Sequence, residues 1–150
     1  MRALRIAFAL MLVGALVLLS GPQQPARAQP QTIKIGVLYD QTGPFSAAGS
    51  LNCWRGAKMI IDYVNEHGGV MGKYKIIRVD GDSQSKAEVA INEAERLLNV
   101  EKVDILAGVY SSAHAVPLAE KMEKQKKFFW ITTALSAAVF KARNLQYVFR

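Results

Sequence analysis

The sequence of 150 residues holds one cysteine, Cys53, so no disulfide can form within it. A domain of this kind must stand on its hydrophobic core. Cys53 has no local base to make it a nucleophile, and beside Trp54 in a helical pattern it reads as a small buried apolar residue. There are two histidines, His67 and His114, and neither falls at ligand spacing with a cysteine or a carboxylate cluster. The loop after the first apolar strand, YDQTGPFSAAG, has Pro44 and Phe45 where a dinucleotide fingerprint needs glycine. The stretch GGVMGKY puts Tyr74 where a phosphate loop needs a hydroxyl residue, and it precedes a strand instead of following one. Ser111 and Ser112 are not set in a GxSxG elbow, and no Asp and His follow in a suitable order. No enzyme is legible, and no cofactor is expected. Internal repeats and low-complexity segments are missing as well.

One long hydrophobic run is present, at the N-terminus. Arg2 and Arg5 precede an apolar stretch at 6–19, and Ala26-Arg27-Ala28 follows with small residues at its outer positions. That is the order of a secretory signal peptide, and the run is short of the roughly 20 residues a membrane span needs. Residues 1–28 are therefore read as a signal peptide, cleaved near Ala28, giving a periplasmic or secreted product. Cleavage removes Arg2, Arg5 and Arg27 and no acidic residue, so the net charge falls from +7 to +4. Nucleic acid is not expected as a partner. The mixed run EKMEKQKK closes a helix, where cations suit the C-terminal dipole.

Behind the signal, strand and helix patterns alternate. Strands are expected at 32–40, 74–82, 102–109, 128–133 and 147–150, and helices at 50–67, 83–99 and 112–126. Ser85 with Glu88 reads as a capping box, Gly68-Gly69 as a helix stop, and His114 as an exposed residue of a first helical turn. Together these predict an α/β fold, a Rossmann-like parallel sheet with helices on both faces. In such sheets ligands sit beyond the carboxyl ends of the strands. The loops there carry small hydroxyl residues: Thr42 and Ser46, then Ser111 and Ser112, then Thr132, Thr133 and Ser136 around Ala134. Each alone suits a cap or a turn. Together, with a helix N-terminus, they could cradle a carboxylate without a buried cation.

The segments IKIGVLYDQTGPFSAAG, GAKMIIDYVNEHGGVMGKYKIIRVDGDSQSKAEVAINEAERLL, VDILAGVYSSAHAVPLAE and FFWITTALS, in that order, resemble the type I periplasmic solute-binding proteins of ABC importers. The branch is the one that binds leucine, isoleucine, valine, amides and related small molecules, and the resemblance runs over 33–150. It implies a non-catalytic subunit that captures an amino acid or amide in the periplasm and delivers it to an ABC permease in the inner membrane. It also implies two lobes closing by a hinge, with 29–150 as the N-terminal lobe only, truncated. The family's carboxylate-holding positions fall on Ser112, on Ala134 through its backbone and on Ser136, with Ser111 and Leu135 beside them. Ser136 stands where threonine is common. The place of an aromatic shield falls near Ala48, which lowers that wall and leaves room for an aromatic or amide solute. The cysteine pair of some members is absent, with Ser83 and Ser111 near those places. An extracellular sensing domain of a receptor with the same fold is the alternative.

Overall fold

Strand β1 (Thr32–Tyr39) is an inner strand of the sheet, and its last residues Val37, Leu38 and Tyr39 are buried on both faces. That is the environment of an inner parallel strand. The computed structural model describes residues 31–141 and 144–150. The expected signal peptide and its cleavage point at Ala28 lie outside the described residues. Strands β2 (Lys75–Asp82), β3 (Ile105–Gly108), β4 (Phe128–Ile131) and β5 (Val148–Phe149) complete one sheet in the order β2-β1-β3-β4-β5. All neighbours pair in parallel. Helix α1 (Leu51–Glu66) joins β1 to β2. Helix α2 (Ala87–Glu95), prolonged by a wider turn at Arg96–Val100, joins β2 to β3, and α3 (Ser112–Gln125) joins β3 to β4.

The chain steps outward from β1 to β2 and then back across β1 to β3. With right-handed crossovers, that reversal places α1 on one face and α2 and α3 on the other. Two clusters follow from it. Val37, Tyr39 and Ile61 pack with Cys53 and Trp54 under α1. Leu38, Leu97, Leu106, Leu118, Met122 and Phe129 form the larger core under α2 and α3. The α/β architecture matches the sequence expectation, including the stop of α1. Gly69, at φ +84, donates its N–H to the Val64 carbonyl at 2.8 Å, the bond a glycine past a helix end is suited to make.

Three local expectations need correction. The Ser85–Glu88 capping box does not form, because α2 begins at Ala87 after an extended Lys86 with no side-chain cap. Ser85 is engaged elsewhere: its hydroxyl accepts from the Phe45 N–H at 2.9 Å and donates to the Thr42 carbonyl at 3.1 Å. Tyr74 is not part of β2 but closes a tight turn by bridging to Val70. Cys53 is half-buried instead of sealed in the core. Helices cover both faces only at the β1 and β2 end. Over β4 the side chains alternate: Phe129 and Ile131 are 0% and 1% exposed, while Phe128 and Trp130 are 50% and 59% exposed. Helix α1 packs on β1 and β2, so its side of the sheet is open over β4 and β5, where Phe149 is also exposed.

Candidate functional site

Three of the candidate residues meet where β3 and β4 end. Ser111 leaves β3 extended and caps α3, its hydroxyl accepting the Ala113 N–H at 3.2 Å while its carbonyl accepts from His114 and Ala115. Its capping bond is local, so Ser111 supports the turn instead of reaching outward. Ser112 begins the helix, and its hydroxyl oxygen accepts the Ser136 N–H at 3.1 Å across the two loops. A hydroxyl that accepts in this way keeps its own proton to donate. Ser136 in turn caps the short turn Ala137–Val139, its hydroxyl accepting from the Ala138 N–H at 3.2 Å.

Ala134 is buried behind this edge and donates its N–H to the Val109 carbonyl at 3.1 Å. With that N–H bonded to Val109, Ala134 has no free backbone donor for a carboxylate. Leu135 projects from the edge, 83% exposed. An open depression of about 290 Å³ lies here, lined by Tyr110, Ser112, Thr133 and Leu135. The positive end of the α3 dipole faces it.

The structure does not bring Thr42 or Ser46 to this edge. Thr42 donates its hydroxyl to the Asp82 carboxylate at 2.7 Å, and Ser46 donates to the Gln41 carbonyl at 2.9 Å. Asp82 also accepts backbone N–H groups from Gln41, Thr42 and Gln84. Partial burial pushes its pKa up, but the hydrogen bonds from Gln84, Thr42 and Gln41 outweigh that and hold it below the usual carboxylate value. These loop residues are therefore spent on one another. Thr132 bonds to Tyr39, oxygen to oxygen at 2.5 Å, and so ties the ends of β1 and β4.

Sequence reasoning missed what lies under the edge. Asp40, the residue after β1, is fully buried. Its N–H donates to the Ser50 hydroxyl at 2.8 Å, and its Oδ1 accepts from the Ser83 hydroxyl at 2.5 Å. His114, expected to be exposed, is 1% exposed. It is the third residue of α3, and that position turns the ring onto the end of the sheet and under Phe45, with ring centroids 5.8 Å apart. Burial holds its pKa below the ordinary histidine value and outweighs the opposing pull of Asp40. The signal available in the sequence was an aspartate directly following an apolar strand.

The expected gap near Ala48 is also bridged. Tyr110 lays its ring across that loop and donates its hydroxyl to the Ala48 carbonyl at 2.8 Å. Gly49, at φ +134, makes room for it, since a Cβ there would stand 3.3 Å from the tyrosine ring.

Residues 32–149 match the periplasmic binding protein family. A Leu/Ile/Val-binding protein homolog 7 from Brucella abortus is 37% identical over 110 residues, covering 72% of this chain and 27% of the relative. The chain thus spans about a quarter of the length of that relative. A substrate-binding protein of a branched-chain amino acid transporter, LivJ of Streptococcus pneumoniae, solved with isoleucine, superposes with a TM-score of 0.71 at 27% identity, covering 79% of this chain and 33% of that one. A solute-binding protein of an ABC transporter from R. palustris, solved with 4-hydroxybenzoate, gives a TM-score of 0.64 at 26% identity, with 79% and 32% covered. These relatives and structural neighbours are substrate-binding proteins, not enzymes.

Proposed function

Because the chain belongs to the periplasmic binding protein family, we propose that it contributes one wall of a solute site, in the substrate-binding subunit of an ABC importer. The solute is a small carboxylate, a branched-chain amino acid or a related aliphatic or aromatic acid. The observation that carries this reading is the Ser112 hydroxyl, tied to the Ser136 N–H at the N-terminus of α3 beside the Tyr110 depression. That hydroxyl donates to the carboxylate, and the helix end supplies a favourable field. Isoleucine and 4-hydroxybenzoate, the ligands of the two structural neighbours, share the carboxylate and differ in the rest. Delivery goes to a permease of the inner membrane. A site with one wall captures little of the energy of closure, so this chain alone is expected to bind such acids at about millimolar strength, near −4 kcal/mol. NMR titration with both acids tests it, and the reading fails if neither gives saturable shifts.

The same reading places the subunit in the periplasm and makes 1–28 its export signal. N-terminal sequencing of the secreted product is expected to start at, or within a couple of residues of, Gln29. A product that keeps Met1 in the membrane fraction contradicts this.

A further inference from the structure

Directly under the Ser112–Ser136 edge sits a pair of titratable side chains that the hydrogen bonds of the edge do not use. Asp40 and His114 are 0% and 1% exposed. The imidazole Nδ1 stands 3.5 Å from Asp40 Oδ1, too far for a good hydrogen bond. That oxygen already accepts from Ser83. Asp40 Oδ2 and His114 Nδ1 have no hydrogen-bond partner among the described residues. A carboxylate oxygen and a ring nitrogen, both buried and both unpartnered within one pair of neighbouring side chains, form a costly arrangement. A proton added to the ring places a positive charge 3.5 Å from the carboxylate and offsets its charge.

The pair ties the start of α3, which carries one half of the edge, to the end of β1. His114 is two residues from Ser112 on α3, while Asp40 closes β1 and is tied to Ser50 before α1 and to Ser83 after β2. With the ring neutral, the charge of Asp40 lies under the edge and opposes an anion above it. With the ring protonated, that opposition is removed. The groups on the surrounding elements are otherwise occupied. Asp82, the last residue of β2, faces Gln41, Thr42 and Gln84. Tyr110, after β3, faces Phe45 and Ala48. Cys53 on α1 packs in the cluster on the other face of the sheet. From α2, Glu95 pairs with Lys121, two turns further along α3. Asp40 is the charged group that acts on His114.

We propose that the Asp40–His114 pair is a proton-operated support of the Ser112–Ser136 edge, which holds a carboxylate solute more tightly when His114 is protonated. His114 is a positioning residue: it acts through Asp40 and the start of α3 and does not touch the solute. The inference rests on the reading of that edge as a carboxylate site. By linkage, a bound carboxylate also raises the proton affinity of His114.

The test is an NMR titration of the full chain with 4-hydroxybenzoate, repeated downward from about pH 7.5 until the His114 ring, which burial holds below the ordinary histidine value, has passed its midpoint. Affinity is expected to rise by about fivefold toward acid pH, the lower end of measured couplings between sites. The rise shares its midpoint with the His114 ring, and His114→Gln binds with a pH-independent affinity. Saturable binding that is flat with pH in the wild type overturns the proposal, and so does a rise that persists in His114→Gln. Absence of saturable binding at every pH overturns the carboxylate reading instead. The pair is then judged on the unliganded wild type, which needs no variant. Ser112 and Ser136 amide signals that ignore the midpoint of the His114 ring overturn it as a support of the edge.

Discussion

Phe129→Ala is expected to cost about 3–5 kcal/mol of stability, whereas Trp130→Ala, one residue on, costs less than about 1 kcal/mol. By residue type alone the two should be similar. The difference comes from the face each side chain takes. Phe129 is 0% exposed in the core formed with Leu106, Leu118 and Met122, while Trp130 is 59% exposed on the side of the sheet that α1 leaves open. Truncating Phe129 removes a fully buried ring and leaves a cavity lined by residues already fixed by α2 and α3. Truncating Trp130 exposes little that was hidden. Urea melts of the two variants against the wild type measure the contrast. Equal losses would mean that the α1 side of β4 is as closed as the other.

Ser112→Ala is expected to weaken carboxylate binding by about 10- to 150-fold, the value of one hydrogen bond to a charged group, about 1.5–3 kcal/mol. The substitution also leaves the Ser136 N–H without its acceptor, since that donor bonds to the Ser112 hydroxyl. At a site of millimolar strength the variant no longer saturates. Ser111→Ala is the control. Its hydroxyl caps α3 through the Ala113 N–H, so its loss is expected to appear in the melt, at about 0.5–2 kcal/mol, with affinity little changed. Equal, negligible losses of affinity for Ser112→Ala and Ser136→Ala would mean that both hydroxyls serve only their own loops.

The sheet was legible because its signals are local. Apolar runs bounded by glycine and polar loops give β1 to β4, and stripes at spacings of three and four give α1 to α3. The position of the site was legible for a topological reason, since ligands in such sheets lie beyond the carboxyl ends of the strands. The partnering of each hydroxyl was not. Thr42, Ser46, Ser112 and Ser136 are alike in sequence. They separate only when Asp82 claims the first, the Gln41 carbonyl the second, and the last two find each other. Ser85 shows the same limit, because the loop it clamps lies 40 residues away at Phe45. His114 was misplaced because a residue in a first helical turn faces solvent or sheet according to the docking angle of the helix, which no local pattern encodes.

The central claim is that the start of α3, with Ser112 and Ser136, holds a carboxylate. The most direct measurement compares 4-hydroxybenzoate with its neutral analogue 4-hydroxybenzyl alcohol, by amide shifts of the labelled chain under identical conditions. The acid is expected to move the amides of Ser112 and Ser136 saturably, with the alcohol leaving them in place, because the hydroxyl of Ser112 and the helix end act on charge. Equal shifts from both compounds would contradict the claim. So would shifts centred on the apolar cleft of about 370 Å³ lined by Tyr39, Cys53, Ile60 and Trp130, which would place the solute against the open sheet face instead.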